Sequence, residues 1–488
     1  MAIDLSLADL SRLDRVRQVL SAHDPRGQFT ALEMHEVHIS DRVLDDLTDV
    51  IDRHLARTGR PAGQAARVRM IADPVRILRN GADLKALVMD RLSARYVAAQ
   101  IILDDGHPVL HADEAMQDAG AQASVGADCI VSVGGGTITD IAKIAAMRAG
   151  VPVHVVVQTA ASVDGFTDNF SVVLQNGVKR TLLTRWPEAV LADTSVIAGA
   201  PQHLNASGFG ELMSMYCAPG DWFLAARFGI DDSFAPVLLD MLNLCGEGFT
   251  DWSVGIGAGE PAACARLAQA LAMRGIVTGV GGTTASLSGM EHLVSHMLDM
   301  VQAETGGATG LHGAQVGVGS VIRAAAWEEF CARMAEAPLK ASDLFPDIDA
   351  TQAQVLAAFA DLDPSGRIGT ECWGRYRSKL QLWHDAQPQV EAFLANWDAE
   401  RVAHDRLVLG SHAIAAALHR ARAAKLFTEL DPAPSVARFR WIVGNCQFMR
   451  ERFTVADLLH FGGWWDQAGV ARVMDRVTAA CLAAETAP

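Results

Sequence analysis

Three histidines stand close together in the stretch from Ser288 to Gln315, SGMEHLVSHMLDMVQAETGGATGLHGAQ. His292 and His296 are one helical turn apart, so a helix here would present both on one face. His312 follows after a loop, just before Gly313, at the start of another helical segment. Imidazoles from two helices plus one carboxylate would make a three-ligand site for a divalent ion with an open coordination position, as catalytic zinc sites have. One histidine alone is ordinarily a satisfied structural residue, but three together, flanked by small residues, shift the balance toward chemistry. The carboxylate is sought in SGFGELMSMY, where Glu211 follows a glycine pair and reads as opening a helix. A first-turn carboxylate complementing the helix dipole is the competing reading of Glu211.

A second constellation lies earlier in the chain. In SVGGGTITD, Gly134, Gly135 and Gly136 stand between an apolar strand and a helix that begins near Thr137 and Ile138. Such a turn lets a pyrophosphate approach the backbone while the helix N-terminus offers unpaired N–H groups. It lacks the GxGxxG fingerprint, and simple turn chemistry accounts for it equally well. The next strand is followed by QTAASVDGFTDNFSV, at the strand's carboxyl end, where open α/β sheets bind ligands. There Thr159 and Ser162 offer hydroxyls and Asp164 and Asp168 offer acceptors, unless they serve only as caps and turns.

The elements that would position these residues follow from pattern. The segments LKALVMD (Leu84 to Asp90) and AAQIIL (Ala98 to Leu103) read as buried strands, and EAMQDAGAQASVG as a helix. DCIVSVGGGTITDIAKIAAMRAG then gives strand, turn and helix, and VPVHVVVQTAAS the next strand. This alternation predicts a doubly wound, mostly parallel sheet with α/β architecture. After about Pro201 long helix-forming segments take over, predicting an all-α second domain. The expected division is residues 1–204, a dinucleotide-binding domain, and residues 205–488, a helical metal and substrate domain, in keeping with a length too great for one ordinary core.

Composition narrows the function classes. A net charge of -16 argues against binding nucleic-acid backbones, though a local cationic pocket for a small anion is compatible with it. The eight cysteines are scattered without a CxxC pair, which reads as reduced thiols in a cytoplasmic protein. Met1 to Asp24 reads as an amphipathic surface helix rather than a signal peptide, and no apolar run approaches the roughly 20 residues that span a bilayer. DLDPSGRIGTEC, from Asp361, begins like a calcium loop but has Cys372 where the bidentate carboxylate belongs.

Together SVGGGTITDIAK, TAASVDGF, NGVKRTLLTRWPEAVLADTSVIAGAP, SGFGELMSMYCAPGDW, SGMEHLVSHMLD and LHGAQVGVG occur in the order and spacing of the sn-glycerol-1-phosphate dehydrogenases. The chain resembles that family from about Val68 to Trp327, and more weakly at RERFTVADL. The bacterial type named for arabinose-utilisation genes looks closest, within the superfamily of glycerol dehydrogenase, iron-dependent alcohol dehydrogenases and dehydroquinate synthase. The resemblance implies an NAD(P)H oxidoreductase interconverting dihydroxyacetone phosphate and sn-glycerol 1-phosphate, or a related small polyol or ketone phosphate. It implies one divalent ion (Zn, Ni or Fe) on Glu211, His292 and His312, with His296 and Asp164 facing substrate. Gly134, Gly135, Gly136, Thr137 and Ile138 would hold the pyrophosphate, with Thr159, Ser162 and Asp168 nearby. Lys179, Arg180 and Arg185 are the nearest cationic cluster in sequence for a substrate phosphate, unless they form only a solvated strand face. The expected assembly is a homodimer. Two departures stand out: Glu211 replaces the dehydrogenases' usual Asp, as in the dehydroquinate synthases, and the segment after LVMD is short, which leaves the choice between NADH and NADPH open. Asp168 stands where serine is usual. Glu211 keeps alive a second reading, a sugar-phosphate cyclase that uses NAD transiently and eliminates phosphate.

Overall fold

Largely apolar runs become the inner strands of a six-stranded sheet in which every pairing is parallel, with the buried Ser132 and His154 hydrogen-bonded to each other across two of them. The structure is a computed structural model that describes residues 9–107, 109–175 and 178–486, the side chains of 178 and 179 excepted. In chain order its strands are β1 (Glu36–Ser40), β2 (Arg67–Ala72), β3 (Leu78–Arg79), β4 (Ala82–Asp83), β5 (Val97–Ile102), β6 (Cys129–Gly134), β7 (Val153–Gln158), β8 (Phe170–Gln175), β9 (Val178–Leu183) and β10 (Ala189–Asp193). The main sheet runs β1-β10-β7-β6-β2-β5, and β3 with β4 and β8 with β9 make two antiparallel hairpins. All of β6, β7 and β10 is buried, so these strands read as mostly apolar runs rather than as an alternation.

One face of the sheet, through Val68, Met70, Val131 and Leu191, packs on Leu84, Val88 and Leu92. The other, through Ile71 and Ile130, packs on Ile138, Ile141 and Ala145. From β2 the chain passes to β5 on one side, whereas from β6 it passes to β7 on the other. The strand order therefore reverses between β2 and β6, and ligands favour the crevice at the carboxyl ends of such a pair.

Two strand expectations require correction. Leu84 to Asp90 lies in a helix, Leu84–Arg95, whose N-cap Asp83 accepts from the Ala86 N–H. Leu84, Val88 and Leu92 recur at helical spacing on its buried face, a period that a seven-residue window is too short to display. Ala98 to Leu103 does contain a strand, β5, but it is the edge of the sheet and mostly exposed, with Val97 and Ile102 about half open to solvent.

Backbone contacts divide the chain into two compact units. The first joins Met1–Gly208 to Val237–Gly282, and the second joins Phe209–Pro236 to Thr283–Pro488. Among the described residues no strand follows β10, and no helix is long and apolar enough to cross a membrane. The Asp361 segment ends in a capping turn, where the Asp363 carboxylate accepts from the N–H groups of Ser365 and Ile368. All eight cysteines are free, and all but Cys331 are buried.

The core of the second unit contains a neutral histidine. His404 is fully buried, stacks on Trp327 with centroids 3.6 Å apart, and accepts at Nε2 from Arg323 Nη2 at 2.9 Å. Burial drives it down to about 3, an effect that Asp405 opposes and Arg323 reinforces. The unfolded chain takes up this proton below about pH 6.5 while the folded chain refuses it until about pH 3. Unfolding free energy should therefore rise with pH across that interval, by up to about 1.4 kcal/mol per pH unit from this residue. Denaturant titrations of the parent and His404→Gln between those limits check it: the variant should show the shallower slope.

Candidate functional site

Glu211, His292 and His312 come together within the second unit. Each offers one ligand atom, and the three atoms lie within 4.8 Å of one another. His292 stands in the first turn of the helix Met290–Thr305, and His312 opens the helix His312–Glu336. Glu211 does not open a helix as expected; it lies in the last turn of Gln202–Met213. That corrects its electrostatics as well, because a carboxylate at a helix C-terminus opposes the dipole and calls for a compensating cation. The approach depends on Gly210, where a Cβ would lie 2.2 Å from the Gly313 carbonyl oxygen. Only glycine lets these two backbones touch and carries Glu211 to the histidines.

Both rings turn the same atom toward the carboxylate. His292 Nε2 is 3.4 Å from Glu211 Oε1, and His312 Nε2 is 3.6 Å from Glu211 Oε2. The opposite nitrogens are engaged behind them. His292 Nδ1 donates to Glu291 Oε1 at 2.9 Å, and Glu291 Oε1 also accepts from the Gly289 N–H at 2.6 Å. His312 Nδ1 donates to Ser295 Oγ at 3.0 Å, Ser295 donates to Gln315 Oε1 at 2.7 Å, and Gln315 Nε2 donates to Asp299 Oδ1 at 3.2 Å. Such partners fix the tautomer and leave Nε2 as the lone pair, which is how metal-ligating histidines are oriented. Burial alone would lower His292, but the carboxylates of Glu211 and Glu291 outweigh it and carry the imidazole up to about 9. The site thus selects for positive charge, and a divalent ion competes there with a proton. Two imidazoles and a carboxylate fit the borderline ions Zn, Ni and Fe.

His296 completes the cluster. Its ring centroid lies 6.1 Å from that of His292 and 5.8 Å from that of His312, and the residue is partly exposed.

The glycine turn lies in the first unit. Gly134 ends β6, Gly135 is the N-cap of the helix Gly136–Ala149, and Thr137 and Ile138 follow in its first turn. A Cβ on Gly134 would meet Ile138 at 2.8 Å, and one on Gly136 would meet Val163 at 2.9 Å, whereas one on Gly135 would meet nothing within 4 Å. The outer glycines serve packing; the middle one keeps open the space in front of the helix N–H groups, a cradle suited to a pyrophosphate.

Thr159 follows the end of β7 and is buried, and Ser162 is partly buried in the turn after it. Asp164 pairs with Arg274, its Oδ2 lying 3.2 Å from Nε and 3.1 Å from Nη2. Asp168 accepts from the buried Lys143 Nζ at 2.6 Å, and that ammonium also donates to the carbonyls of Gly165 and Phe170. Lys143 therefore pins this loop to the helix after the glycine turn. Arg185, expected among phosphate-binding cations, instead donates to the Val151 and Pro152 carbonyls and pairs with Glu188, so its donors are committed to structure. Arg180 stands on β9 opposite Val173, and the Lys179 side chain lies outside the described residues.

Sequence reasoning overlooked Glu291, Ser295 and Gln315 behind the histidines, and Lys143 and Arg274 behind the aspartates. Glu291 and Ser295 adjoin the histidine pair in GMEHLVSH, so adjacency was the available signal. Lys143 and Arg274 stand 25 and 110 residues from their partners, a separation no local pattern bridges.

Residues 61–201 match the model of the iron-containing alcohol dehydrogenase family. The glycerol-1-phosphate dehydrogenase [NAD(P)+] of Haloquadratum walsbyi is 31% identical over 292 residues, 58% of this chain and 81% of that protein. The like-named protein of Geobacillus thermodenitrificans is 32% identical over 234 residues, 47% of this chain but only 56% of its own length. Among solved structures, glycerol dehydrogenase from Schizosaccharomyces pombe aligns with TM-score 0.54 over 94% of this chain and 91% of that one, at 12% identity, a likeness of fold.

Replacing His292 or His312 with Ala should remove the bound ion, whereas Glu211→Asp should keep a fraction of it; elemental analysis of the purified variants measures this, and full occupancy in either Ala variant excludes that residue as a ligand. Gly135→Val should fold like the parent, since its φ of -83° suits any residue, and lose nucleotide binding. Fluorescence titration with NADH and NADPH checks it, an unchanged affinity meaning that the turn is only a turn.

Proposed function

The chain belongs to the glycerol-1-phosphate dehydrogenase family, and from that premise we propose that it is a metal-dependent NAD(P)H oxidoreductase interconverting dihydroxyacetone phosphate and sn-glycerol 1-phosphate. The observation that carries the reading is the triad of Glu211, His292 and His312, with both Nε2 atoms turned to one carboxylate.

In this reading Glu211, His292 and His312 hold one divalent ion, and the helix start at Gly135 to Ile138 holds the nucleotide pyrophosphate. When bound, the ion supplies Lewis acidity toward the ketone oxygen and the reduced nicotinamide supplies hydride. Glu291 and Ser295 keep the two ligand rings from rotating. His296, beside both ligand rings, holds the proton that the product alcohol requires, exchanging it with solvent through its exposed edge. Asp164 accepts from a substrate hydroxyl, and Arg274 fixes the orientation of that carboxylate. Thr159 and Ser162 line the nucleotide's path, while Asp168 steadies their loop through Lys143.

Purified, metal-loaded protein should oxidise NADH or NADPH in stoichiometric amounts with dihydroxyacetone phosphate, and reduce NAD(P)+ with sn-glycerol 1-phosphate. Phosphate release from a sugar phosphate with no net change in reduced nicotinamide would instead establish the cyclase chemistry. His296→Ala should keep its metal and lose on the order of 100-fold to 10,000-fold in kcat, the usual contribution of positioned proton transfer. A kcat unchanged across the pH range would reduce His296 to packing.

A further inference from the structure

Among the described residues, a second group of histidines and a carboxylate matches the triad in closeness: Asp105, His107 and His111 each offer a ligand atom, all within 4.8 Å of one another. They belong to the first unit, on the loop from β5 to the helix Glu114–Ala123. None takes part in the site already described.

The carboxylate is fixed in place. Asp105 Oδ1 accepts from the His107 N–H at 3.0 Å, and Oδ2 accepts from the His111 N–H at 2.9 Å and from His111 Nδ1 at 2.8 Å. Its side chain is 7% exposed while that of His111 is 44% exposed. The rings of His107 and His111 meet edge to face with centroids 5.0 Å apart. An immobile carboxylate at the base with two accessible imidazoles above it differs from a solvated cluster, whose side chains would have to be ordered by the ion itself.

We propose that Asp105, His107 and His111 form a second divalent-metal site that clamps the loop leaving the edge strand. The donor set, one carboxylate oxygen and two imidazole nitrogens, suits zinc and its borderline neighbours rather than calcium or magnesium. The ion would replace the hydrogen bond between His111 Nδ1 and Asp105, with water filling the remaining positions. The site is independent of the dehydrogenase reading.

Equilibrium dialysis against Zn2+, followed by elemental analysis, tests it. The parent should bind two zinc ions per chain, the double variant His107→Ala/His111→Ala one, and Glu211→Ala one. In the Glu211→Ala background zinc should raise Tm, and adding the two loop substitutions should abolish that rise. A parent that saturates at a single zinc ion lost in Glu211→Ala would overturn the proposal, as would a second ion that survives the loop substitutions. Because the loop variant leaves Glu211, His292 and His312 intact, loss of its second ion is distinguishable from failure of the triad.

Discussion

The placement of Glu211, His292 and His312 rests on one buried carboxylate. Asp221, on the helix Ala218–Arg227, accepts at Oδ1 from Arg323 Nε and Nη2 and from the Val455 N–H, and at Oδ2 from the Met290 N–H. Met290 begins the helix that carries His292, and Arg323 sits in the helix that carries His312. A single side chain thus ties both ligand helices to each other and to the C-terminal segment. Burying such an ion pair yields little net stability, because desolvation consumes most of the attraction, but removing one partner strands a buried charge. Here it fixes relative position. Space is kept for it: a Cβ on Gly289 would meet Asp221 Oδ2 at 2.5 Å, and one on Gly220 would meet Arg323 Nη2 at 2.3 Å.

Charge in this unit is arranged in ranks. Asp221 is answered by Arg323, and both are almost wholly buried. Glu291 turns Oε1 to Gly289 and His292, with Cys217 Sγ near Oε2 at 3.6 Å. Glu211 meets imidazole nitrogens at longer range, 3.4 and 3.6 Å, in a helix turn whose dipole opposes it. Of the three carboxylates it is the one whose setting a divalent cation would improve. The same three groups therefore divide into one that holds helices together, one that orients His292 and one that faces two imidazoles.

Much of this was legible in the residues. The parallel sheet followed from apolar runs alternating with helices, and the histidine pair at i and i+4 put two rings on one face, as the 6.1 Å between their centroids bears out. Legibility failed where the deciding partner was distant or the window short. Arg185 read as a free cation because Val151 and Pro152, which take its donors, precede it by more than 30 residues. Leu84 to Asp90 read as a strand because two turns of helix cannot display their period. Glu211 read as a helix opener because the glycines before it suggested a start, when Gly210 serves instead to bring two backbones into contact.

In the glycine turn, geometry distinguishes three glycines that the sequence treats alike. Turn chemistry explains a glycine whose backbone needs a positive φ or whose Cβ has no room. It accounts for Gly134 and Gly136, which Ile138 and Val163 crowd. Gly135 meets neither condition: its φ is -83°, which any residue can adopt, and its missing Cβ faces open space. An N-cap without a side chain also forgoes the capping bond that Ser, Thr or Asp would make, at a cost of only about a few tenths of a kcal/mol when the residue is glycine. Neither backbone strain nor crowding calls for glycine here, and its bare backbone leaves the approach to the helix N-terminus open. The first-turn N–H groups of the helix that begins at Gly136 lie directly behind it, at the carboxyl end of β6 where the strand order reverses. An anion placed there would meet N–H groups that no side chain caps.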